Sequence, residues 1–144
     1  MLNEGQLRHL SATLRLAEER LLDLQRRLND GRVGQLLTID NDLSAAERAI
    51  VSEKIAALLR QIADAGARLA LTPGWQSLRR ALVGTLSVMW ADLQDAKSGS
   101  LSAYGETDPR LPAMLDPLIE RIAEGLLELC QVLSRGECRG TREL

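Results

Sequence analysis

The sequence predicts an all-α fold, an antiparallel four-helix bundle with two long inter-helix connections. Three observations predict it. The chain of 144 residues is 45% hydrophobic but only 2% aromatic, and it has no Phe. An apolar content made of Leu, Ala, Ile and Val suits helices rather than sheets. Apolar residues also recur at alternating three- and four-residue spacings along several stretches, as in helices that present a stripe to a partner. Finally, residues 31–43 and 96–113 interrupt that periodicity, the second with Gly99, Gly105, Pro109 and Pro112, which prevent a continuous helix. The expected organisation is one helical-bundle domain over residues 1–135, followed by a flexible tail over 136–144. A chain of this length buries enough surface to fold without disulfides or a metal.

The first helix is predicted from Glu4 to Asn29, on the seam Leu7, Leu10, Leu14, Ala17, Leu21, Leu24 and Leu28. Arg26 and Arg27 in its last turn suit the negative end of the helix dipole, and Gly31 supplies a stop. The connection 31–43 exceeds the about two to eight residues usual between bundle helices. Its Leu36, Leu37 and Ile39 are expected to pack over one end of the bundle.

The second helix, over 44–71, organises the rest. Ser44 and Glu47 form a capping box, each satisfying a free backbone N–H of the other. Two seams then run side by side. One is bulky: Arg48, Val51, Ile55, Leu58, Ile62, Ala65 and Leu69. The other, one residue round the helix, is nearly all small: Ala49, Ser52, Ala56, Leu59, Ala63, Gly66 and Ala70. Two stripes imply two partners, so this helix is expected to be the most enclosed, and its small-residue seam permits close helix approach. Ala63→Leu is then expected to lower stability or dissociate a dimer.

Thr72-Pro73 reads as the cap and first-turn proline of a third helix that runs to about Asp95. Its expected core face is Trp75, Leu78, Leu82, Leu86, Met89 and Leu93. Val83 and Trp90 lie on a flank of that face beside Arg79, and they either complete the core or form a subunit contact, where Trp and Arg are enriched. Tyr104, the one tyrosine, sits in the 96–113 connection, either pinning it to the bundle or offering a functional aromatic on a loop. The fourth helix is expected over about 117–134, with Leu115, Ile119, Ile122, Leu126, Leu129 and Leu133 as its seam. Asp116, Glu120, Glu124 and Glu128 fall on its opposite face. They are either a solvated face with its acid near the helix N-terminus or a docking strip for a basic partner.

Net charge is −2 and basic residues occur in every helix, which argues against nonspecific nucleic-acid binding. Cys130 and Cys138 fit no zinc or redox spacing, so the expected setting is reduced and cytoplasmic. No basic region leads into an apolar one after Met1, so no signal peptide is expected. The longest mostly apolar stretch, Ala81 to Ala91, is about half a membrane span. No Glu-x-x-His motif, phosphate-binding glycine loop or nucleophile–base pair is present, and no catalytic residue, metal or cofactor is expected.

His9, the only histidine, allows one comparison. The pair His9-Leu10 resembles the phosphorylated histidine of phosphotransfer bundles, where Leu-Lys-Gly follows it. Here Ser11 and Ala12 replace the lysine and glycine, so the match stops at the leucine. The first helix, Gly31, the heptad-rich second helix and Tyr104-Gly105 are similar in layout to small flagellar and secretion export chaperones. A full helix after Tyr104 departs from that pattern, and no family is assigned.

The functional expectation is a non-catalytic interaction or adaptor module acting through protein contacts, as a homodimer. Its candidate contact residues are Arg79, Val83, Trp90, Tyr104, Asp116, Glu120, Glu124 and Glu128. The homodimer interface is expected on the small-residue seam or on the Val83/Trp90 flank. The alternative is a carrier or sensor holding a small apolar ligand between helices, in a core whose few aromatics leave room for one.

Overall fold

A computed structural model describes residues 1–140, with side chains through Arg135. Among the described residues the fold is all-helical: α1 (Glu4–Arg27), α2 (Ala45–Arg68), α3 (Leu78–Asp95), the short α4 (Ser98–Leu101) and α5 (Leu111–Gly140), with a 3-10 turn at Ser102–Tyr104. The only extended pairing among them is an isolated bridge, Val33 with Thr38. The chain divides into two compact units, Met1–Gly74 and the residues from Trp75 onward.

The first unit is an antiparallel pair of α1 and α2. Asn3 and Gln6 cap α1 reciprocally, and Ser44 and Glu47 cap α2 in the same way. Along α1 the seam residues are half-buried except Leu24. On α2 the bulky seam packs through its middle, with Ile55 only 5% exposed, while Val51 and Leu69 of that seam are exposed. The small-residue seam is no continuous close contact: Ala49, Ser52, Ala63 and Ala70 are exposed, and a Cβ added at Gly66 would meet nothing within 4 Å. A leucine at 63 therefore has room, and the loss expected from the sequence does not follow. Helix α2 ends in a Schellman motif, in which Leu71 N–H donates to the Gly66 carbonyl at 2.9 Å and Ala70 N–H to that of Ala67 at 3.3 Å. Ala70 holds the left-handed position with φ 52°, a place normally taken by glycine.

The 28–44 connection is anchored by Asn41, whose Nδ2 donates to the Leu28 carbonyl at 2.8 Å. Gly34 N–H donates to the Leu37 carbonyl at 2.7 Å. A Cβ at Gly34 would lie 2.7 Å from that same oxygen, so only glycine fits this turn. Ile39 is half-buried, but Leu36 and Leu37 are exposed and do not cover an end of the pair as expected. Their backbones are committed to the turn, which leaves their side chains outward.

The second unit is an antiparallel pair of α3 and α5 with α4 across one end. The third helix starts later than Pro73: Ser77 is its cap, accepting the Arg80 N–H at 3.2 Å. Gly74 beside Pro73 is a poor helix former, and Trp75 stays fully exposed. Conversely α5 starts earlier than expected, at Leu111, and passes Gly136. Pro112 sits in the first turn, where an N–H has no intrahelical partner. Pro117 lies inside the helix, at the cost of one backbone bond. Both connections carry the same clip. Asp30 accepts the Arg32 backbone N–H and two guanidinium bonds, and Asp108 does the same for Arg110. Each carboxyl is held below its usual value, chiefly by the hydrogen bond from the arginine side chain. The last part of the expected tail, residues 141–144, lies outside the described residues.

Candidate interaction surface

Four residues of the expected α5 seam, Leu115, Ile119, Leu126 and Leu133, do face the pair, but Ile122 and Leu129 do not, and Ala123 packs instead. Ala123 and Leu126 are 4% and 9% exposed, whereas Ile122 and Leu129 are 54% and 52% exposed. Apolar side chains cover about half the circumference of this helix. One half of that arc, from Leu115 through Ala123 and Leu126 to Leu133, packs in the pair. The other half, Met114, Leu118, Ile122, Leu129 and Val132, is exposed.

Helix α3 is built the same way. Its half-buried face is Arg79, Val83, Leu86, Trp90 and Leu93, while Leu78, Leu82 and Met89 of the expected core face are exposed. On both helices the exposed stripe lies on the same rotational side of the packed face. In an antiparallel pair, equivalent rotational positions fall on one side, as flanking positions do in antiparallel coiled coils. The two stripes therefore form one apolar face of the α3–α5 pair. Two contacts fix the antiparallel register. The Arg79 guanidinium donates to the Leu133 carbonyl at one end, and Ser98 meets Asp116 at the other.

That second contact is a clasp. Asp116 accepts the Ser98 backbone N–H at 2.9 Å and the Ser98 hydroxyl at 2.8 Å. Ser98 is buried, and Lys97 has no side-chain capping bond, so α5 supplies the cap that α4 lacks. The Ser98 backbone N–H, its hydroxyl and the nearby Lys97 charge hold the Asp116 carboxyl below its usual value. Lys97 Nζ lies 3.5 Å from Glu120. Glu124 and Glu128 remain exposed. Tyr104, at the end of the clasped segment, is 89% exposed and is not pinned to the helices.

The structure thus separates the sequence-derived contact residues. Arg79, Val83 and Trp90 belong to the packed face of α3, with Arg79 tied to α5. Asp116 and Glu120 are engaged with the α4 segment, and Tyr104, Glu124 and Glu128 face outward. The exposed face of α3 and α5 was not singled out by the sequence. Its signal was present: α5 carries more apolar positions than one packing seam uses.

No family model, curated protein or solved structure matches this chain.

The first unit offers a different feature, a cleft of about 400 Å³ between α1 and α2. Leu14, Ile62, Leu71 and Pro73 give it apolar walls, and Arg15 and Glu18 stand among its polar groups. Arg15 donates from Nε to the Ser11 carbonyl at 3.2 Å and lies so close over Gly74 that a Cβ there would sit 2.1 Å from its guanidinium. His9 is exposed on α1. Among the described residues no three His, Cys, Asp or Glu groups gather as a metal site, and no helix is long and apolar enough to cross a membrane.

Proposed function

We propose that this chain is a non-catalytic interaction module that acts through protein–protein contacts, as a homodimer in a cytoplasmic setting. The observation that supports it is the apolar face of the α3–α5 pair. Isolated apolar residues on a surface are ordinary, but a contiguous face this large marks an interaction site in most proteins. The face is built on two helices locked together at both ends, by Arg79 and by Asp116. It is thus presented rigidly, which limits the ordering cost of association.

A second reading, a carrier of a small apolar ligand, is favoured by the α1–α2 cleft, whose volume falls within the range of about 300–1,000 Å³ typical of ligand pockets. Native mass spectrometry of freshly purified protein separates the two. The interaction reading expects protein complexes without added small mass. A subunit carrying extra mass of a few hundred daltons, lost on denaturation, would move the function to the cleft.

A further inference from the structure

We propose that the apolar face of α3 and α5 is covered by the same face of a second copy of this chain, about a two-fold axis beside Gly125 and Met89. This rests on the interaction-module reading and names its partner. Size is the first support. The eight exposed apolar residues of the face leave on the order of 900 Å² accessible, against the about 800 Å² per partner that a stable interface buries.

The second support is the order of residues along α5, which reads alike in both directions about Gly125 to within one residue. Leu118 and Val132 lie seven residues to either side of it, and Ile122 and Leu129 three and four. Laying α5 antiparallel on its copy sets Leu118 against Val132 of the second copy, and Ile122 against Leu129 of the second copy. A two-fold interface must be self-complementary in this way; a heterologous partner imposes no such pattern.

Charge supplies the third support. Arg121 and Glu128 border the stripe on its outer edge, four residues before Gly125 and three after it. The same axis brings each Arg121 to Glu128 of the second copy, while no charged residue lies within the stripe. At the crossing point a Cβ on Gly125 would meet nothing within 4 Å. Glycine there lets the two helices approach to the short end of their usual separation of about 8–10 Å. Interpolating between the Arg79–Leu133 and Ser98–Asp116 contacts places Met89 within about one residue of the level of Gly125. The axis then sets Met89 against its own copy, where a flexible thioether adapts readily, and Leu82 against Ala96 of the second copy.

Light scattering during size exclusion, at tens of micromolar chain, tests the assignment. The whole chain is expected to run as a dimer. Leu118→Glu and Ile122→Glu are each expected to raise its dissociation constant by on the order of 100-fold, through an unpaired charge in an apolar contact. Helical content should hold, since both residues are exposed in a single copy. Arg121→Glu or Glu128→Arg should weaken the dimer by about 3- to 10-fold, with the double reversal restoring it. A dimer that survives both glutamates, or a double reversal that fails to restore, overturns the face or its register. A monomeric chain that still retains a different protein in native mass spectrometry overturns this inference and the homodimer of the proposed function, and leaves the interaction module standing.

Discussion

Ala70→Gly should stabilise the first unit. Ala70 occupies the left-handed residue of the Schellman motif that ends α2, with φ 52°. An L-residue pays about 1–2 kcal/mol for that conformation. Glycine escapes this but loses about 0.5–1 kcal/mol more chain entropy than alanine on folding. Ala70 is exposed, so losing its methyl group removes little packing. The difference leaves a net gain of about 0.5–1 kcal/mol. The motif's two hydrogen bonds, at 2.9 and 3.3 Å, are kept by either residue. Urea unfolding followed by far-ultraviolet circular dichroism should show a higher midpoint with an unchanged slope. The Leu71 amide, which closes the motif, should exchange more slowly with solvent. Ala70→Val is the opposing control, because a branched Cβ fits the left-handed region poorly, and it should destabilise. A neutral or destabilising Ala70→Gly would refute the reasoning.

Asp116→Asn should speed exchange of the Ser98 amide at neutral pH by weakening the cap on α4. In the parent chain the bound carboxyl titrates below its ordinary value of about 3.9. Its contribution is therefore complete above that value and lost as pH falls through the lowered one, and Ser98 protection should decline over that acid range. Arg79→Ala should destabilise the second unit by about 1.5–3 kcal/mol, the worth of a charged hydrogen bond, read by thermal melting. Ala63→Leu should leave stability within about 0.5 kcal/mol of the parent, since Ala63 is exposed beside the open cleft.

Local chemistry was legible in the sequence wherever a single side chain decides it. The Ser44–Glu47 capping box, most of the α1 seam and the middle of the bulky α2 seam follow from spacing alone. The reciprocal cap at Asn3 and Gln6 uses the same chemistry and was equally open to view. What spacing could not decide was which edge of a wide apolar arc packs. On α5 Leu115, Ile119, Leu126 and Leu133 pack as their spacing suggests, but the larger Ile122 and Leu129 turn outward and Ala123 is buried instead, because a wide apolar arc leaves the edge of its packed face undecided. On α3 the same ambiguity turned the expected flank, Val83 and Trp90, into the packed face and left Leu78 and Met89 outside. Prolines misled in the other direction: Pro112 and Pro117 suggested a late helix start, although the first costs no bond and the second only one. The Asp116–Ser98 clasp was invisible because it joins residues 18 apart through a helix pairing that no local pattern encodes.

The central claim, a two-fold axis beside Gly125, is tested most directly by Gly125→Cys in a chain whose Cys130 and Cys138 are changed to Ser. Helices crossing at that position bring the two Cα atoms within the about 4.4–6.8 Å that a disulfide needs. Mild oxidation should then convert the protein to a covalent dimer on non-reducing gels, while Leu127→Cys, on the far side of α5 from the face, should stay a monomer. Equal cross-linking at the two positions, or none at Gly125→Cys, would contradict the account.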